Sequence, residues 1–263
     1  MIEKNGIILL LLHEIISKVE FLLIKVFIIN LENAIERRKN MQQEILKFKN
    51  TIFDFSFFEA IDAKNALQMQ KFTKYYQKTL AKIMHGRELY GGEIACYASH
   101  FSLWEKCIVL DEPIVILEDD VILFEYFQKG IEEIIKSDYS FVRLFALFDS
   151  KKNIYPKNHA LVVKKIKLGG TQGYYLEPSA AKTLVKYSQR WLSPVDDFLD
   201  RYFVHGLPAV VCEPYLLQEQ VTESMIGNRN KKPKGIFKFT REIMIIYWNV
   251  LRLIFDLKNR KIG

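Results

Sequence analysis

The run Pro113-Ile-Val-Ile-Leu-Glu-Asp-Asp-Val-Ile-Leu123 joins a short, unbroken apolar segment to three consecutive acids, Glu118, Asp119 and Asp120. Four apolar residues behind a proline suit a central strand covered on both faces. In open α/β sheets, ligands bind at the carboxyl ends of such strands. Three adjacent carboxylates repel one another unless a cation sits among them. Hard oxygen ligands suit magnesium or manganese, and either ion can bridge a diphosphate. The plainer reading of the same acids is a solvated turn.

The segments around this run point to the same class of fold. Lys25 to Leu31 is a β-branched and aromatic run, read as a buried strand. Asn33 is placed to cap a helix from about Ile35 to Phe48. Phe53–Phe58 reads as a strand and Glu93–Val109 as a helix. Further strands are expected at Ser140–Phe148, Val162–Leu168 and Ala209–Cys212, and helices at Ser179–Tyr187 and Asp196–Phe203. Residues 64–90 show no clean period. Strands alternating with helices predict an α/β fold with a mixed central sheet.

The chain has 263 residues, 49% hydrophobic and 26% charged, with a mean hydropathy of -0.01. These values exclude a disordered chain, a collagen-like chain, a disulfide scaffold and a multi-span membrane protein. The net charge is +7, unevenly spread. Residues 227–263 hold ten basic residues against Glu242 and Asp256, a surplus of +8, while the rest carries −1. A near-neutral body with a basic tail suggests an enzyme or binding domain with an address attached. Because the body is slightly acidic, nucleic-acid binding is the weaker reading.

Cys96, Cys107 and Cys212 are odd in number and form no CxxC, so buried free thiols in a reducing compartment are expected. The N-terminal apolar run, Ile7 to Leu12, meets His13 and Glu14 with no small-residue cleavage pattern. The expected location is cytoplasmic. Residues 1–24 read as an apolar extension, residues 25–226 as the main domain, and residues 227–263 as the tail. From Ile236 to Leu257 the tail is helix-like and apolar on most of its circumference. Lys238, Arg241, Glu242, Asn249, Arg252 and Asp256 gather on one side of it. Either this helix lies on an anionic membrane surface, or it docks on its own domain with basic residues outward.

A wider pattern accompanies the acids. Asn30-Leu31 precedes Glu36-Arg37-Arg38, and Ala60-Ile61-Asp62 precedes Gly92-Glu93-Ile94-Ala95-Cys96. Ser99-His100 and Leu103-Trp104 follow, then the acids, then Gly173-Tyr174-Tyr175 and Pro194-Val195-Asp196. In this order the sequence resembles glycosyltransferase family 25, the bacterial lipooligosaccharide (lipopolysaccharide) glycosyltransferases, many of them β-galactosyltransferases; the animal collagen galactosyltransferases are relatives. The resemblance covers roughly residues 25–226 and is most specific from Gly92 to Asp120.

The resemblance implies a GT-A-like nucleotide-sugar-binding fold, a UDP-sugar donor, galactose as the hexose transferred, a divalent metal (Mn2+ or Mg2+) and inversion at the anomeric carbon. Glu118-Asp119-Asp120 looks like a DXD-type motif. Asp120 is then the first metal-ligand candidate, with Glu118 near the ribose or the metal shell. Asn30, Arg37, Arg38, Ser99, His100, Glu118 and Asp119 are the donor-binding candidates. The arginines offer forks for a diphosphate, or else simply solvate a helix. Asp196 is the candidate base for the acceptor hydroxyl, with Asp197 beside it and Asp200 one turn on; the alternative is that these acids cap or solvate a helix. Gln218, Glu219 and Gln220 resemble a family segment whose register is ambiguous. The implied acceptor is a lipid-linked oligosaccharide at the inner face of the cytoplasmic membrane. The competing function is a non-catalytic scaffold of the membrane surface that keeps the fold.

Overall fold

The computed structural model describes residues 23–49, 51–148, 160–163, 167–220 and 235–259. Most of the expected N-terminal extension and the first part of the tail lie outside these residues.

A seven-stranded sheet runs through the molecule in the order β2-β1-β3-β7-β5-β8-β6. Its strands are β1 (Ile24–Asn30), β2 (Phe53–Glu59), β3 (Ile114–Glu118), β5 (Phe141–Arg143), β6 (Ala160–Val163), β7 (Gly173–Leu176) and β8 (Val210–Glu213). β1 is parallel to β2 and β3. β7 runs against both β3 and β5, and β6 runs against β8. The sheet is therefore mixed. A small second sheet pairs β4 (Val121–Leu123) with β9 (Leu217–Glu219).

The central strands read as continuous apolar runs because helices cover both faces. Val26, Ile28, Val115 and Leu117 point to one side. There they meet Met41 of α1 (Ile35–Leu46) and Phe127, Ile131 and Ile134 of α5 (Phe127–Ile135). Phe27, Ile114, Ile116 and Tyr174 point to the other side. They pack on Tyr97, Phe101 and Trp104 of α4 (Gly91–Leu110), and on Ala180, Ala181 and Leu184 of α6 (Pro178–Tyr187). Between β2 and α4 lie two short helices, α2 (Ala66–Gln70) and α3 (Lys78–His85).

Several expectations need correction. Asn33 does not cap α1; Ala34 stands at that position with no side-chain cap. The strand expected over Ser140–Phe148 keeps only three residues; just past them the Leu144 N–H still bonds Gly173 of β7, while its carbonyl accepts from Leu216. The strand expected over Val162–Leu168 appears as Ala160–Val163, and residues 164–166 lie outside the described part. The helix expected over Asp196–Phe203 is two pieces, α7 (Val195–Leu199) and α8 (Tyr202–His205). Between them the Asp200 carboxylate accepts the backbone N–H groups of Leu168 and Gly169, so the chain is drawn toward that loop instead of continuing the helix.

The tail helix, α9 (Ile236–Lys258), forms as expected and packs beside α3 and α8. It docks on its own domain with Lys238 and Lys258 exposed, but an apolar stripe faces outward with them. Trp248 faces the body, where Arg201 stacks on it at 4.7 Å, and Asp256 accepts from the Tyr202 hydroxyl at 3.2 Å. The outward face is apolar.

Candidate functional site

The carboxyl ends of β1 and β3 lie side by side, with Ile29 opposite Glu118. The antiparallel β7 begins at the same end, where the Glu118 N–H bonds the carbonyl of Gln172 at 3.0 Å. A cleft of about 550 Å³ opens there, lined among others by Arg37, His100, Glu118, Asp120, Thr171 and Asp196. That volume lies within the range of ordinary small-molecule sites, about 300–1,000 Å³.

Strand ends set the acids in place, and the neighbours of each acid differ. Asn30, at the last position of β1, donates to Asp119 Oδ2 at 2.7 Å. Arg37, in the first turn of α1, reaches Asp119 Oδ1 and Asp120 Oδ2, both at 3.0 Å. Arg38 turns elsewhere: it lies 4.2 Å from the centre of the Phe57 ring and 3.5 Å from Asn30 Oδ1. Burial raises the Asp119 carboxyl, with Asn30 and Arg37 opposing the rise. Asp120 is pushed up to about 7, first by burial and then by the charges of Glu118 and Asp119. Its Oδ1 is buried without a hydrogen-bond partner. A buried acceptor of this kind is costly unless something donates to it or coordinates it. The three acids thus fit a hard cation by charge and by the orphaned oxygen.

Two groups approach Glu118. The Thr171 hydroxyl donates to its Oε1. His100, on the facing side of α4, brings Nε2 to 3.7 Å from the same oxygen, beyond hydrogen-bond length. Burial raises the Glu118 carboxyl, but His100, Thr171 and Arg143 outweigh it and hold the group below the ordinary value.

His100 is itself oriented by a relay. Trp104 Nε1 can only donate, and it gives its hydrogen to the Tyr174 oxygen at 2.8 Å. The buried Tyr174 hydroxyl then has His100 Nδ1 as its acceptor, also at 2.8 Å. This network assigns the ring proton to Nε2, facing Glu118. Cys96, one turn before His100, places its sulfur within 4.8 Å of the His100 and Glu118 ligand atoms. The tautomer assigned here turns a hydrogen, not a lone pair, toward that group.

The loop before β7 depends on a buried arginine inside an apolar strand. Arg143, 1% exposed, donates to the Gly169 carbonyl at 2.8 Å and also to that of Gly170. Both glycines have φ in the left-handed region, +68° and +66°, where side chains with a Cβ are strained. A Cβ on Gly170 would stand 2.0 Å from the Gln172 amide. Arg143 and the two glycines therefore shape the turn that presents Thr171 and Gln172.

On the opposite wall, Asp196 and Asp197 occupy the first turn of α7. Asp197 takes the Lys167 ammonium and lies 3.8 Å from His85 Nδ1. Burial raises its carboxyl, and Lys167 more than offsets the rise, so it sits below the ordinary value. Ser99 is buried and spends its hydroxyl on the backbone, donating to Ala95 and accepting from Ile61, each at 2.9 Å. It thereby pins the loop after β2 to α4. Glu93 caps α4 with Tyr90 and receives a two-pronged contact from Arg87 at 2.7 and 2.8 Å. Glu219, from the segment of ambiguous register, lines the cleft; the Gln220 N–H bonds the Asp120 carbonyl at 2.7 Å.

The structure thus brings Asn30, Arg37, Glu118, Asp119 and Asp120 into one connected cluster, with His100 beside it and Asp196 and Asp197 across the cleft. Sequence reasoning missed Arg143, Lys167, Thr171 and Gln172. Gly169-Gly170 was the one local signal that a tight turn stood there; nothing marked Arg143, which sits in an apolar run.

A profile of glycosyltransferase family 25 (LPS biosynthesis protein) matches residues 23–199. Lipooligosaccharide biosynthesis protein lic2B of Haemophilus influenzae is 32% identical over 171 residues, covering 60% of this chain and 61% of that protein. Lipooligosaccharide biosynthesis protein lex-1 of the same species is 27% identical over 282 residues, covering 89% and 91%. Procollagen galactosyltransferase 1-B of Xenopus laevis is 28% identical over 189 residues, covering 66% of this chain but 30% of that protein.

Proposed function

Because the chain belongs to glycosyltransferase family 25, we propose that it is a GT-A-like, inverting hexosyltransferase that moves galactose from UDP-galactose to a lipooligosaccharide-type acceptor. The observation that carries this reading is the orphaned, buried Asp120 Oδ1 among three acids at the carboxyl ends of β1 and β3. Asp120 and Glu118 would hold manganese or magnesium. When bound, the ion supplies positive charge against which the UDP leaving group departs.

The protein's own groups divide the remaining work. Arg37 counters the charge of Asp119 and Asp120 and keeps both carboxylates in place. Asn30 fixes Asp119 from the β1 side. Thr171 fixes Oε1 of Glu118, with His100 Nε2 3.7 Å from the same oxygen, which leaves Oε2 for the ion or the donor. Inversion requires a single displacement, so a base must take the acceptor hydroxyl's proton as the oxygen attacks the anomeric carbon. We assign that role to Asp196. Asp197, already committed to Lys167, keeps the first turn of α7 oriented. A lipid-linked acceptor facing the cytoplasm fits the lipooligosaccharide biosynthesis proteins named above.

The test is UDP release from a panel of UDP-sugars, with and without manganese. Metal-dependent release from UDP-galactose, reduced at least a hundredfold in Asp120→Asn, is expected. No release from any UDP-sugar by the folded protein would overturn the reading and favour the scaffold.

A further inference from the structure

α9 carries two apolar stripes, and only one of them is used. At 100° per residue, Trp248, Phe255, Phe237 and Met244 share the side that meets the body. The body answers with Phe203, 6.1 Å from Trp248 between ring centres, and Tyr202, 5.8 Å from Phe255. The opposite arc, about 80° wide, holds Phe239, Ile243, Ile246, Val250, Leu253 and Leu257. Every one of these is exposed: Phe239 is 67% exposed, Ile246 63% and Leu253 57%. A stripe that apolar, facing water along a whole helix, marks an interaction surface.

The charges around the stripe name the occupant. Lys238 and Lys258 are exposed on its two flanks, the exposed Glu242 at one border is 3.9 Å from Arg241, and Tyr247, 48% exposed, lies near the other border. The sequence from 227 to 263 carries a surplus of +8. A second copy laid on this face would bring two such segments together and repel. An anionic lipid surface attracts them, while lysine stems flank the apolar stripe and an aromatic sits at its edge. The helix is about 35 Å long at 1.5 Å per residue. No described helix is long and apolar enough to cross a membrane, so α9 would lie along a surface and not through it.

We propose that the outward stripe of α9 docks the protein on an anionic lipid bilayer, with the inward stripe fastening the helix to α3 and α8. The docking does not depend on the sugar-transfer reading, and its test uses no sugar. The full-length protein is sedimented with phosphatidylglycerol-containing vesicles and with phosphatidylcholine vesicles, at low and high salt. Binding to the anionic vesicles is expected, at least tenfold stronger than to the neutral ones and weakened by salt. Ile243→Glu/Ile246→Glu/Leu253→Glu alters only exposed positions and should abolish binding while circular dichroism stays as in the wild type. Oligomeric state is measured on both proteins by light scattering without lipid. A monomer in both supports the proposal. Failure of the folded wild type to bind anionic vesicles overturns it, as does a wild-type dimer that the triple variant splits.

Discussion

At the scale of single residues, the reading turns on hydrogen-bond direction. Trp104 can only donate, Tyr174 passes one hydrogen on, and His100 therefore turns Nε2–H toward Glu118. Replacing Tyr174 with Phe removes the link without adding volume. The folded protein should then lose the fixed tautomer, which nitrogen NMR of labelled histidine reads directly, with His100→Gln to assign the signal. Turnover should fall about 10- to 100-fold, the usual cost of removing a group that orients a site residue. A ring proton found on Nδ1 in the wild type would sink this assignment. The acids themselves were legible in the sequence, since three carboxylates after an apolar run announce a strand end. Their individual partners were not. Arg37 reaches two acids and Arg38 neither, a distinction set by the rotation of α1 and invisible in the pair Arg37-Arg38.

At the scale of elements, β1, β3 and α4 could be read in advance because each is long or strongly apolar. α5 could not. Its interior holds Gly130, an ordinary helix-weakening signal, yet the structure needs it: a Cβ there would stand 2.3 Å from Leu216. β4 and β9 are three residues each and pair across almost a hundred positions, so no local pattern announces them. α8 ends on a histidine with a consequence for stability. His205 donates from Nε2 to the Leu199 carbonyl and accepts from the Leu207 N–H, both at 3.2 Å. Burial pushes its imidazole from 6.5 down to about 4. Below pH 6.5 the unfolded chain takes up a proton that the folded one refuses. Stability is therefore lost as pH falls from 6.5 toward 4, by about 3 kcal/mol from this residue. Urea unfolding at pH 7 and pH 4.5 should show a smaller acid loss in His205→Gln. An equal loss in both proteins would mean that other groups carry the acid sensitivity.

At the scale of the whole molecule, the mixed sheet gathers the ends of β1 and β3 and the start of β7 at one edge, and the cleft sits there. The composition contrast between a near-neutral body and a basic tail was plain from the sequence. Which face of the tail helix turned outward was not, since both stripes of α9 are apolar and only the partners on α3 and α8 choose between them. The central claim is that the cleft takes a nucleoside diphosphate together with a divalent ion. Calorimetric titration of UDP into the protein, with and without manganese, tests it most directly. UDP binding is expected to require manganese and to weaken at least tenfold in Asp120→Asn. UDP binding that is indifferent to both the metal and the substitution, or no binding at all to the folded wild type, would contradict it.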